Sequence, residues 1–500
     1  MNERSRWVAL VVLCTGMLMI VLDMTVVNVA LPSIQGDLGF SQSGLAWVVN
    51  AYLIAFAGLL LLAGRLGDLA GRRNVFLAGL GIFTAASLLC GLATSQVLLI
   101  TARFLQGAGG ALTSAVILGM IVTMFGDPRE RARAIGVFAF VASAGAAVGL
   151  LAGGVITQLL SWHWIFFVNL PIGALTAVAA RRVIEPDRGA GLRAGADVPG
   201  AVLVTGAMML GVYTIVGPAA QRGWLAAETL GLGAATLALL AGFVLRQHTA
   251  RHPLMPLRVF ASRTVTGANL VQVLGTAGMF GMFFLGSLYL RQILRYDPLQ
   301  IGLAFLPVAV IMGTLSVRYT DRLALRFGAR PVMLTGLGLI AAGLALFAVA
   351  PASGGAYLPH IFPVALLVGT GSGLCFPALM TLAMSGATAQ DAGLASGLVN
   401  TTGQIGGALG LAVLATVSAS RTSALAAQHR TAAVALTGGY HLAFWIACGL
   451  VVAAAGVTVA LLRPQPAAAQ PAVATQPAAA ARHETGAETT PDGTLDYSMN

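Results

Sequence analysis

Charge is scarce in this sequence. Of 500 residues, 9% are charged and 57% apolar, whereas water-soluble domains carry roughly 25% charged residues. So few charges cannot coat the water-facing surface of a chain this long, which excludes a soluble globular protein. The bulk is also too apolar for disorder, which requires low hydrophobicity and high charge. Lysine is absent: all 28 basic residues are arginine, and 17 acidic residues leave a formal charge of +11. A basic balance can signal nucleic-acid binding. Here the arginines occupy short segments between apolar blocks, so membrane topology accounts for them and no nucleic-acid partner is expected. Cys14, Cys90, Cys375 and Cys448 all lie in apolar blocks without close spacing, giving no disulfide framework, zinc site or redox pair. No metal site or cofactor is expected, and no cluster of His, Cys, Ser or carboxylates suggests an enzyme. The run Gly107-Ala108-Gly109-Gly110 lacks the lysine of a phosphate-binding loop and follows no strand.

What the sequence has is long apolar blocks. A membrane helix needs roughly 20 predominantly apolar residues. Windows between charges fall at 7–64, 74–126, 134–180, 198–221, 229–245, 264–290, 298–317, 331–390, 392–420 and 431–462. Breaks at 32–44, 94–95, 161–163 and 351–360 divide four of them, which predicts fourteen spans, 229–245 being the shortest. The first block runs into a second span with no small-residue cleavage site, so no removable leader is expected. Arginine favours the cytoplasmic side. With the N-terminus inside, all arginines outside the membrane become cytoplasmic except Arg222, Arg291, Arg295, Arg421 and Arg430. An even span count then puts the C-terminus inside as well. The tail from Pro464 is rich in Ala, Pro, Gln and Thr and reads as a disordered extension.

The chain also contains a repeat. Gly64–Arg73 joins spans 2 and 3, and Asp321–Arg330 joins spans 10 and 11. Aligned without gaps, they share Arg65/Arg322, Leu66/Leu323, Gly71/Gly328 and Arg73/Arg330. Spans 1–6 and 9–14 therefore read as duplicated halves with spans 7 and 8 inserted. Repeated halves around a midplane site are a transporter architecture. The expected organisation is a cytoplasmic N-terminus (1–7), a six-helix bundle (8–184), a linker with two extra spans (185–263), a second six-helix bundle (264–462) and a cytoplasmic tail (463–500).

Two ionisable residues stand out inside the spans. Asp23 lies 16 residues beyond Trp7, about 24 Å above the inner face at 1.5 Å per residue. Arg103 lies six residues into a span running the other way, which places it about 21 Å above that face in a core about 30 Å thick. They could pair directly or through water. A carboxylate at that depth is costly unless it faces a cavity, pairs with a base or takes a proton. A structural ion pair is the alternative, and for Arg103 the two readings are equally open. Gln106, Gly107 and Gly110 share the Arg103 helix face, with Arg103 and Gln106 expected to point into a cavity. Gly145, Gly149 and Gly153 form one smooth helix face, as do Gly403/Gly407 and Gly406/Gly410 in span 13. Small residues at this spacing allow close helix crossing.

Four segments resemble the major facilitator superfamily, specifically its fourteen-span drug:proton antiporter branch. Leu22–Pro32 (LDMTVVNVALP) is similar to the first-span signature, Gly64–Arg73 to the loop motif, Arg103–Gly107 (RFLQG) to the fourth-span motif, and Gly145–Gly154 to the fifth-span antiporter motif. The resemblance covers about residues 7–462. It implies an all-α polytopic membrane protein of the major facilitator-type fold, two six-helix bundles plus two inserted helices. It further implies a monomeric bacterial cell-membrane exporter of amphipathic small molecules such as antibiotics, with protons and lipid as its other partners and the proton gradient as energy source. Asp23 and Arg103 would couple protons. Gly64, Asp68, Gly71, Arg72 and Arg73 would form a conformational latch, against the alternative that Arg72 and Arg73 serve topology alone. Asn28, Gln106, Met279, Phe283 and Phe376 are candidate wall residues of the substrate cavity, the Met and aromatic side chains suiting a greasy ligand, and most could equally face lipid or neighbouring helices. The fifth-span motif has Gly-Pro where this chain has Gly149-Leu150, and Leu325 stands opposite Asp68 in the second loop copy. The missing proline leaves a facilitator or importer of a specific metabolite open. A membrane sensor or scaffold would have only the C-terminal tail to work with.

Overall fold

The computed structural model describes residues 3–125, 127–187, 189–191, 195–385 and 392–462. The expected tail, 463–500, lies outside the described residues. In a bilayer, backbone groups with no internal partner are prohibitively costly, so apolar blocks of span length become helices. They do so here as α1 (Glu3–Leu38), α2 (Gln42–Ala70), α3 (Arg72–Gly91), α4 (Gln96–Met124), α5 (Pro128–Leu159), α6 (Asn169–Val183, preceded by a turn at Trp164–Phe167), α7 (Val198–Thr214) and α8 (Ala227–Thr249). They continue as α9 (Arg263–Gln292), α10 (Pro298–Arg318), α11 (Ala329–Phe347), α12 (Phe362–Ser385), α13 (Ala392–Ala427) and α14 (Ala432–Leu461). Among the described residues, 13 helices are long and apolar enough to cross a membrane. α5 is the fourteenth long helix, with the apolar stretch Ala144–Leu159.

Some boundaries differ from expectation. α1 starts at Glu3, inside the expected leading segment, and passes through Pro32. Gly39, at φ +67°, follows its end, and Ser41 caps α2 by accepting from Gly44 N. The shortest expected span, 229–245, lies within a 23-residue helix, α8.

The repeat extends to the packing. In the first half α3 packs on α4, α2 on α4, α1 on α5 and α1 on α6; in the second, α11 packs on α12, α10 on α12, α9 on α13 and α9 on α14. Each pair recurs eight helices later. Gly71 and Gly328 turn the chain at φ +91° and +88°, a region glycine enters without steric penalty. After these turns, Arg73 Nη2 donates to Arg181 O at 2.5 Å and Arg330 Nη2 to Val459 O at 2.8 Å, each near the end of the sixth helix of its own half. The halves meet where α2 packs on α13 and α5 on α10. Gln292 Nε2 also donates to Gln35 Oε1 (3.1 Å) and Gln42 Nε2 to Ser418 Oγ (3.0 Å). Both bonds lie at the end of the molecule opposite the arginine-rich turns.

The inserted pair lies alongside the α2–α13 contact. α7 faces α2, with Thr205 over Gly58, and continues into a wide turn, Ile215–Ala219. The Ile215 carbonyl there accepts from Thr416 Oγ1 of α13 at 3.3 Å. Asp197 caps α7 and is held by Arg246 Nε (2.8 Å) and Gln247 Nε2 (2.7 Å) of α8. Burial alone would raise the Asp197 carboxyl, but bonds from Arg246, Gln247 and Gly200 N, with the Arg246 charge, hold it below the ordinary carboxylate range.

Candidate functional site

Among the described residues, a buried polar cluster inside the membrane region belongs to the first half. α1 and α4 carry Asp23 and Arg103 from opposite directions to the same depth. Arg103 Nη1 donates to Asp23 Oδ2 at 2.5 Å, and the side chains are 2% and 1% exposed. Water therefore does not reach the pair in this conformation. The other carboxylate oxygen, Oδ1, accepts from Gln106 Nε2 at 2.7 Å and Asn169 Nδ2 at 3.3 Å. Ser87 Oγ accepts from the same two amides at 2.8 and 3.4 Å. Arg103 Nε donates to Val48 O (3.0 Å), and Nη1 also reaches Gln106 Oε1 (2.6 Å). The guanidinium lies 4.5 Å from the centroid of the Tyr52 ring and 5.8 Å from that of Phe166, within the range of cation–π attraction. The cluster thus draws on α1, α2, α3, α4, α6 and the turn before α6. Charge-assisted bonds of this kind are about twice as strong as neutral ones.

Gln106 departs from the expected cavity-facing position: it is fully buried inside this network, and Arg103 likewise faces protein rather than a cavity. The reason is the glycine face beside them. A Cβ on Gly107 would stand 2.3 Å from Tyr52 O, and one on Gly110 would stand 2.8 Å from Tyr52 Oη. α4 therefore presses against α2 and closes the space. Ser87, Asn169 and Tyr52 were not singled out from the sequence. The available signal was a set of neutral polar residues inside otherwise apolar windows.

The remaining candidates fall into three groups. At the α2–α3 turn, Arg72 Nη2 pairs with Asp68 Oδ1 (3.1 Å) and Nη1 donates to Gly119 O of α4 (3.1 Å). Gly64 has open space around its Cβ position, while one on Gly71 would meet Asp187 O at 2.7 Å. Of the cavity residues, Met279 is 6% exposed, with Ser372 Oγ of α12 at 3.6 Å from its sulfur, so it packs inside the second half rather than along an open wall. Phe283 is half-buried against Phe305 of α10, with ring centroids 5.3 Å apart. Phe376 is half-buried. Asn28 is half-buried, and its amide donates to Met24 O at 3.0 Å. Of the glycines, Gly145 lies against Leu18 and Val21, Gly149 against Thr25 and the Leu22 carbonyl, and Gly153 against the Val26 backbone, all on α1. Gly407 and Gly410 lie against Phe280 and Ala277 of α9. Leu150, in place of the motif proline, is buried, and a Cβ on Gly302 of α10 would meet its carbonyl at 2.4 Å.

Residues 13–411 match the family model of the Major Facilitator Superfamily. A puromycin resistance protein of Streptomyces alboniger is 40% identical over 456 residues, covering 90% of each chain. A cephamycin export protein of Amycolatopsis lactamdurans is 41% identical over 422 residues, covering 84% of this chain and 86% of its own. Among solved structures, a bacterial homologue of the human lysosomal transporter Spinster, inward-facing and unoccupied, matches with a TM-score of 0.67 at 15% identity. It covers 93% of this chain and 98% of its own.

Proposed function

The chain belongs to the major facilitator superfamily, and on that premise we propose that it exports amphipathic, antibiotic-like small molecules in exchange for protons. The observation carrying the proton part is Asp23, a carboxylate sealed among Arg103, Gln106 and Asn169. In the proposed cycle the two halves rock about their contacts, a substrate occupies the space between them, and opening of the first half lets water and a proton reach Asp23. Protonation weakens its hold on Arg103, and opening to the other side releases the proton. Export of an antibiotic is supported by the names of the two relatives above, both similar to this chain over most of their length.

Energy source provides the test. In cells expressing the protein, a protonophore added while ATP is maintained should abolish export of the substrate against its gradient. Export that persists without the proton gradient and stops on ATP depletion would remove the coupling role from Asp23.

The reading places both termini in the bacterial cytoplasm and treats the protein as a monomer. The native cysteines are buried or half-buried, so introduced thiols report their own accessibility. Cysteines replacing Gln221 and Ser353 should react with an impermeant maleimide from outside, and those replacing Arg182 and Arg251 only after permeabilisation. External labelling at Arg251 would mean that α7 and α8 do not both cross.

A further inference from the structure

The turn between α2 and α3 is capped by a segment more than a hundred positions away in the sequence. The first N–H groups of a helix and the last carbonyls have no partner within it. α3 begins at Arg72 after Gly71, which has no side chain to cap it. Asp187, just beyond α6, fills that role with both oxygens. Oδ2 accepts from Arg72 N at 2.6 Å and Oδ1 from Arg73 N at 3.1 Å, where the helix dipole favours negative charge. The end of α2 is completed from the same segment, as Ala190 N donates to Asp68 O (2.9 Å) and Gly191 N to Leu69 O (3.0 Å). The approach is backbone to backbone: a Cβ on Gly189 would stand 2.2 Å from Leu69 O. Farther along, Arg65 Nε donates to Gly195 O at 3.3 Å. Two residues later Asp197 caps α7 and is gripped by Arg246 and Gln247 of α8. A run of hydrogen bonds thus joins the α2–α3 turn to the inserted pair. α7 and the turn after it also pack on α13 of the second half, where among the described residues the Ile215 carbonyl accepts a hydrogen bond from Thr416 Oγ1.

We propose that Asp187 is a positioning residue for transport. Its carboxylate fixes the α2–α3 turn, aims Arg72 at Asp68 and Gly119 O, and ties α7 and α8 to the first half so that the three move as one body. The second half moves against that body, and the Thr416–Ile215 contact gives way. This rests on the alternating-access reading above, but part of its test needs no transport. Asp187 touches no residue proposed to meet substrate or proton, so its loss acts on the rate of conformational exchange.

The experiment compares wild type with Asp187→Asn and Asp187→Ala in liposomes. Asp187→Ala should lower the maximal transport rate about tenfold, the size of one lost capping interaction expressed as an equilibrium. The substrate concentration for half-maximal rate should stay unchanged. Asp187→Asn, keeping one acceptor oxygen, should fall between. Spin labels at Ala78 on α3 and Arg251 after α8 should give a single distance in wild type, constant between acidic and neutral pH. The distance from Arg251 to Arg326 of the second half should change, and in Asp187→Ala the Ala78–Arg251 distance should broaden. A wild-type rate in Asp187→Ala overturns the proposal, as does an Ala78–Arg251 distance that shifts in wild type as much as the other pair. If no compound is transported by wild type, the export reading fails while the distances still decide this one.

Discussion

Arg103→Ala should be among the most destabilising single changes in the first half. The substitution leaves the Asp23 carboxyl without its base in a site of 2% exposure and removes the bonds to Val48 O and Gln106 Oε1 and the stacking on Tyr52. Breaking a buried pair by deleting one partner costs about 3–5 kcal/mol, because the remaining charge is uncompensated. Detergent-solubilised Arg103→Ala should therefore unfold well below wild type in a thermal scan and give little protein in the membrane. Arg103→Lys should do better but fall short, because an ammonium cannot reproduce the planar fork that reaches Val48 O, Asp23 and Gln106 together. The pair Asp23→Leu with Arg103→Met separates structure from transport. Replacing both charges by apolar groups is often neutral or stabilising, so folded protein should return while concentrative export does not. Wild-type unfolding of Arg103→Ala would mean that the network contributes nothing to the fold.

The span pattern and the Asp23–Arg103 contact were legible because both depend on distance along a helix. Apolar block length sets the spans, and counting residues from each membrane face brings the two charges to one level. Direction around the helix was less legible. The i+3 spacing placed Gln106 beside Arg103 correctly, but what faces them depends on Ser87 and Asn169, neutral residues in distant helices that a search for charges passes over. Asp187 was beyond local reading for a related reason: it caps a helix that starts 115 residues earlier, and no sequence rule links a loop aspartate to a remote helix terminus. The repeat was visible where arginine and glycine coincide, at Gly71/Gly328 and Arg73/Arg330. It was hidden at the paired approaches of Gly79 to Gly109 O and Gly336 to Gly371 O, because among 62 glycines these four carry no distinguishing pattern.

Asp23→Asn should leave the protein in the membrane and abolish its ability to concentrate substrate. The amide preserves the size of the side chain and one acceptor oxygen, so it can still meet Arg103 or the Gln106–Asn169 pair, though not both without reorienting a neighbour. Arg103 keeps Val48 O, Gln106 Oε1 and the Tyr52 face, so the loss of stability should be smaller than for Arg103→Ala. Function should suffer more than stability, because an amide cannot carry a proton from one side to the other. A transporter so altered can still bind and exchange neutral substrates but has no means of drawing on the gradient. Preloaded vesicles should therefore equilibrate substrate in Asp23→Asn, whereas an imposed pH gradient should drive no accumulation. Asp23→Glu restores a titratable group with one extra methylene in a sealed site, where overpacking costs about 1–3 kcal/mol. It should transport slowly with a displaced pH profile. The discriminating result is the pH dependence of Asp23→Asn: accumulation against a gradient with the wild-type profile would make Asp23 a purely structural partner of Arg103 and place proton coupling elsewhere in the chain.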